Sequence, residues 1–188
     1  MSPTPHKLSH KIATEWEEFS FPPLYERQRY GGGDERLLFG VPSGDIEVIR
    51  RLLGCMEEPF CLLYVLHTPR GEGPPGRYQS PELPLDSVHS FLIKYAAYFR
   101  ADARYDLWLR SLASTAMVAW DRHNRAFAYG PVDCFVSALV ALGFSSGEVP
   151  NILHMSITIG QNLTPKRQAC SRNTAGDGPI CIPRTCSE

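Results

Sequence analysis

Apolar residues occur along this chain in two kinds of run: short unbroken or alternating clusters, and stretches where they recur every three or four positions. The first kind predicts strands and the second predicts helices with one buried face. Leu37 to Val41 is a short apolar run stopped at Pro42, and Ser43 behind it is placed to cap a helix by accepting a bond from a free backbone N–H. Ile46, Ile49, Leu52, Leu53 and Met56 then share one helical face, with Glu47, Arg50 and Arg51 towards water, until Pro59 ends the helix. Phe60 to His67 is a continuous apolar octet, which predicts a central strand covered on both faces.

Thr68 to Pro84 holds five prolines and three glycines and reads as a long surface loop. Asp86 then caps a helix whose Val88, Phe91, Leu92, Tyr95 and Phe99 form a continuous stripe. Asp106–Leu112, Met117–Trp120 and Arg125–Tyr129 are three short strands joined by turns, an antiparallel meander. In the second connector Asp121 can bond backbone two residues on, and Asn124 tolerates the left-handed conformation that closes such a turn. Gly130-Pro131 stops the last strand, Asp133 caps a third helix carrying Phe135, Val136, Leu139 and Val140, and Gly143 ends it. The order βαβαβββα predicts an α+β fold: a mixed or antiparallel sheet containing a three-stranded meander, with helices mainly on one face.

Around that centre the chain changes character. Residues 1–34 read as an N-terminal arm that packs on the core through Trp16, Phe19, Phe21, Leu24 and Tyr25, residues 35–155 as a single α+β domain, and residues 156–188 as an irregular tail. The tail has the composition of either a native disordered extension or an out-of-frame translation.

Length and charge narrow the partners. With 188 residues, 43% hydrophobic and 21% charged, one folded domain is expected, and a net charge of -1 supplies no global field for nucleic acid or an anionic membrane. Arginine outnumbers lysine 15 to 4, which fits a GC-rich gene. Neither an apolar leader near Met1 nor a membrane-length apolar run is visible, so a cytoplasmic location is expected. Cys55, Cys61 and Cys134 sit in apolar segments and read as unpaired core residues. Cys170, Cys181 and Cys186 lie in the tail, where with His154 they make a weak four-ligand zinc set; His6 and His10, four apart, read as a solvated pair.

Two motif matches fail on context. Gly71-Glu72-Gly73-Pro74-Pro75-Gly76 spells a dinucleotide-binding turn, but its prolines remove donors and no helix follows directly. Gly143-Phe144-Ser145-Ser146-Gly147 spells a nucleophile elbow, but it leaves a helix where the elbow must leave a strand. Cys134, just inside the third helix, has no histidine near it in sequence to activate it.

What survives is a set of polar residues on two connectors. His67, Arg70, Glu72, Arg77, Tyr78 and Gln79 follow the octet, and Arg122, His123 and Arg125 lie at a hairpin turn. If both groups leave the same end of the sheet, His67 and His123 are the acid–base candidates and Arg70, Arg77, Tyr78, Arg122 and Arg125 the ligand-binding ones. The expectation is a non-catalytic module that binds another protein or a small anionic ligand, with no metal, no cofactor, no nucleic acid and no membrane. The alternative is a small hydrolase or transferase acting on an anionic substrate through a His/Arg pocket. Trp16, Trp108, Trp120 and tyrosines 25, 30, 78 and 129 are the interface anchors if exposed. An exposed aromatic patch favours binding, whereas a closed pocket holding His67 or His123 favours an enzyme.

Overall fold

The computed structural model describes residues 6–71, 73–152 and, as backbone, 157–159. Expectations for the tail beyond these, including the cysteine and His154 set, lie outside the described residues. The elements are β1 (Leu8–Ile12), β2 (Glu15–Glu18), β3 (Leu24–Tyr30), β4 (Asp34–Gly40), α1 (Ile46–Leu53), β5 (Phe60–Leu66), β6 (Gly76–Gln79), α2 (Leu85–Lys94), α3 (Ala96–Ala101), β7 (Tyr105–Ser111), β8 (Met117–Trp120), β9 (Arg125–Tyr129), α4 (Val132–Ala141), β10 (Ser145–Ser146) and β11 (Ile157–Ile159). The fold is α+β. Eight strands form one mixed sheet in the order β10-β3-β4-β9-β8-β7-β5-β6, and β11-β1-β2 form a small second sheet. Only the β10–β3 pair of the large sheet is parallel.

The meander β7-β8-β9 forms as its pattern indicates, and its second turn uses the expected chemistry. Asp121 Oδ1 accepts the backbone N–H of His123 at 2.8 Å, and Asn124 takes φ 55°. Period-two burial divides the sheet into two faces. In β5 Phe60, Leu62, Tyr64 and Leu66 are buried, and in β7 so are Tyr105, Leu107 and Leu109; they share one core with Ile49 and Leu52 of α1, Val88 and Leu92 of α2, Phe99 of α3 and Phe135 and Leu139 of α4. Among the described residues the helices therefore lie on one face, and the opposite face is left uncovered except at its β3–β4 end.

Several local expectations need correction. The apolar octet is not covered on both faces: Cys61, Leu63 and Val65 are half-buried on the open side, and β5 pairs antiparallel with both neighbours. An antiparallel strand needs a dry environment on one face only. The presumed loop 68–84 contains edge strand β6, whose Tyr78 is buried against Tyr64. Ser43 does not cap α1; it sits at φ 48° in a 3-10 turn, and Asp45 caps the helix by accepting from Glu47 N at 3.0 Å. Neither Asp86 nor Asp133 is the cap. Pro84 and Pro131 precede those helices, and both aspartates lie in the first turn, where they still complement the helix dipole. The long second helix is two, broken at Tyr95. Gly143 ends α4 as expected, at φ 86°, a conformation that costs glycine little.

The cysteine expectation is overturned. Cys55, just past α1, and Cys134, in the first turn of α4, form a disulfide across a sequence separation of 79, while Cys61 is free and half-buried on the open face. The packing of α1 beside α4 brings together two thiols that no sequence spacing connects. Residues read as an N-terminal arm supply β1, β2 and the sheet strand β3. Phe21 crosses over Gly40, where a Cβ would lie 2.3 Å from the Phe21 side chain, so only glycine admits the ring. Phe21 joins Leu8, Phe19, Val149 and Ile152 in a second apolar cluster against Leu24 and Leu38. Among the described residues no helix is long and apolar enough to cross a membrane.

Candidate functional site

The two polar connectors do leave the same end of the sheet. β5 runs into His67 where β7 begins, and the β8–β9 turn carrying Arg122 closes beside them. His67 Nε2 lies 2.7 Å from Asp106 Oδ2, and Arg122 Nη2 lies 3.1 Å from His67 Nδ1. Because a guanidinium has only donors, Nδ1 must accept, and the proton sits on Nε2 and is donated to Asp106. Asp106 Oδ1 also accepts the Arg122 backbone N–H at 2.9 Å. Both ring nitrogens are thus engaged, and the ring is held by one carboxylate that also fixes the turn.

A second bracket lies alongside. Asp121 Oδ2 accepts from Arg125 Nε at 3.1 Å and Nη2 at 3.0 Å, and His123 Nδ1 is 3.6 Å from the same oxygen. Burial pushes the Asp121 pKa up, but the neighbouring His123 ring and the charge of Arg125 outweigh it and lower it from the usual carboxylate value. Tyr78 is buried, and its hydroxyl donates to the Pro74 carbonyl at 2.5 Å. Arg77 is exposed on the open face opposite Val65, and Arg70 is exposed on the connecting loop.

Beneath these brackets lies a buried polar base. Asp102 and Arg104 are almost wholly enclosed and pair through both carboxylate oxygens, at 3.0 and 2.9 Å from Arg104 Nε, and the Arg104 carbonyl accepts the His67 backbone N–H at 2.9 Å. Lys7, 1% exposed, donates from Nζ to the Asp121 carbonyl at 3.0 Å and lies over the rings of Trp120 and Tyr105. Desolvation lowers its pKa to about 7 against the pull of Asp121, Asp106 and Asp102. The Tyr64 and Tyr98 hydroxyls meet at 2.6 Å, and both rings stack on Tyr105. Burial raises the Tyr64 and Tyr105 pKa values far beyond the ordinary phenol range, so both stay neutral.

The open face itself carries a row that reads straight across the sheet. Leu63 pairs with Trp108, Trp108 with Ala119, Ala119 with Phe127 and Phe127 with Leu38. Trp108, on β7 and the third strand in from the β6 edge, is 37% exposed, and Cys61, Val65, Met117 and Tyr129 flank the row half-buried. Around it Arg36, Arg77 and Arg110 have no carboxylate partner among the described residues, whereas Asp106 and Asp121 are tied into the brackets. At the β3–β4 end, residues 148–151 wall a cleft of about 370 Å³ whose floor includes Arg36 and Phe127; Arg125 lines it, but neither His67 nor His123 does.

Asp106 and Lys7 were not singled out from sequence as site residues, Asp121 was read only as a turn former, and of the apolar row only Trp108 was named. The outward-facing triplet Asp106, Trp108, Arg110 on an otherwise apolar strand is the one signal that could have pointed to that face. Of the expected aromatic anchors Trp16, Trp108 and Tyr30 are exposed, Tyr129 is half-buried, and Trp120, Tyr25 and Tyr78 are core. Among the described residues no three histidine, cysteine or acidic side chains gather as metal ligands. No protein-family model matches the chain, and neither curated proteins nor solved structures give a match.

Proposed function

We propose that this chain is a non-catalytic binding module that engages another protein through the open face of its eight-stranded sheet. The observation that carries the proposal is the cross-sheet row Leu63, Trp108, Ala119 and Phe127, apolar on a face that no helix of the described residues covers. A soluble sheet normally turns polar residues outward on its wet side, and a contiguous apolar band there favours a partner. Tryptophan and arginine are the residues that most often dominate interface energetics, and Trp108 is bordered by Arg110 on its own strand. Arg77 and Arg110, which have no carboxylate partner among the described residues, favour a partner surface with acidic residues around an apolar centre.

His67 weighs against the alternative of a hydrolase or transferase. A general base needs a free lone pair, and the His67 lone pair already accepts from Arg122. On location, the Cys55–Cys134 bridge argues for an oxidising compartment, since cytosolic thiols are kept reduced.

A photo-crosslinking amino acid placed at Trp108, and for comparison at exposed Ile93 on α2, tests the proposal in the source cells. A discrete adduct at position 108 that Arg110→Glu suppresses is the expected result. Equal labelling at both positions, or none at 108, overturns it.

A further inference from the structure

The cleft at the β3–β4 end contains charges of both signs, Arg36 against Glu148 and Glu26, that no ion pair among the described residues neutralises. Arg36 is oriented by its neighbours: Nε donates to Gln28 Oε1 at 3.2 Å, Nη1 donates to the Tyr129 hydroxyl at 2.9 Å, and the guanidinium lies 4.8 Å from the Phe127 ring centroid. Nη2 has no partner among the described residues. Across the cleft Glu148 stands exposed and likewise has no cation partner among them. Of the other charged side chains of the lining, Arg125 pairs with Asp121, and Glu26 accepts the Gln28 amide at 2.9 Å and keeps its negative charge beside that of Glu148. Leu38, Phe127 and Val149 supply apolar surface in the same cleft.

We propose that this cleft binds a small zwitterion, a free amino acid or a short peptide with an unblocked amine and carboxylate. Arg36 takes the carboxylate, Glu148 the ammonium, and the apolar wall holds the side chain. Three features support this ligand class. A volume of about 370 Å³ falls at the lower end of small-molecule sites. A guanidinium already fixed at two of its nitrogens loses little freedom when a carboxylate joins the third. A purely anionic ligand would meet the Glu148 carboxylate, and a purely cationic one would meet Arg36. The cleft meets the partner surface proposed above at Phe127, whereas its charged groups Arg36 and Glu148 take no part in that surface.

The test is a titration of the ¹⁵N-labelled full chain, following the Arg36 Nε–H and Val149 N–H signals, with leucine, phenylalanine and the dipeptide alanyl-leucine. Saturable shifts are expected with at least one of them, with at least tenfold weaker binding by its N-acetyl and its amide derivatives. Glu148→Gln, on an exposed segment, should weaken binding at least tenfold without disturbing the remaining spectrum, and Arg36→Gln should do the same. Equal shifts with acetate alone would reduce the cleft to an anion site and overturn the proposal, as would no shift with any of the three zwitterions. Crosslinking at Trp108 that persists in Glu148→Gln would show that the sheet-face proposal stands or falls separately.

Discussion

The Lys7 ammonium lies 4.4 Å from the centroid of the Trp120 ring, with Tyr105 at 4.9 Å on another side, so the N-terminal strand is pinned to the sheet by a buried cation. Folding lowers the Lys7 pKa from 10.5 to about 7. Between those values the unfolded chain binds a proton there that the folded chain does not. The contribution of this group to stability therefore rises with pH across that window, by up to about 1.4 kcal/mol per unit, and is flat below pH 7. Denaturant melts from pH 6 to pH 9 should show this slope in wild type. Lys7→Met should remove it and gain stability at pH 6; an unchanged slope in the variant would assign the effect elsewhere.

Asp102 and Arg104 form the buried ion pair under the site, and removing one charge strands the other. Asp102→Asn should cost about 3–5 kcal/mol in urea unfolding. Because the Arg104 carbonyl holds the His67 backbone, amide exchange at His67 should also accelerate. A loss below about 1 kcal/mol would mean that solvent reaches the pair.

The disulfide closes a long loop between α1 and α4. Reduction, or the double substitution Cys55→Ser with Cys134→Ser, should lower stability by up to about 4 kcal/mol on the chain-entropy account, seen as a lower melting temperature in the presence of a reductant. Free-thiol titration of the oxidised, denatured chain should find Cys61 reactive and Cys55 and Cys134 blocked.

His67 is held as the Nε2–H tautomer by Asp106 on one side and Arg122 on the other. Imidazole ¹⁵N spectra should show that single tautomer in wild type. Asp106→Leu removes the acceptor and one support of the Arg122 turn, and should mix the tautomers and cost about 1–3 kcal/mol. A wild-type ring with its proton on Nδ1 would contradict the Arg122 contact and reopen His67 as a base.

The α+β class, the meander, the Asp121–Asn124 turn and the stop at Gly143 were all legible before folding, because each depends on residues close in sequence. Where local reading failed, long-range contact was the cause. The octet Phe60–His67 has the same letters whether its second face meets a helix layer or stands open, and only the placement of all four helices on one side decides that. Tyr78 was read as a loop residue because prolines and glycines surround it, yet pairing with Tyr64 makes it core.

For the candidate site the division is similar. Periodicity and turn chemistry were sufficient to put His67 and Arg122 on connectors and to leave Trp108 and Phe127 on strands. Their meeting partners were settled elsewhere: Asp106 by the β5–β7 register, Cys134 by the docking of α4 beside α1, Lys7 by a strand more than a hundred positions from Asp121. Local sequence sets backbone propensity within a few residues, whereas side chains distant in sequence meet only when strand order and register place them together. Strand order is a property of the packed whole.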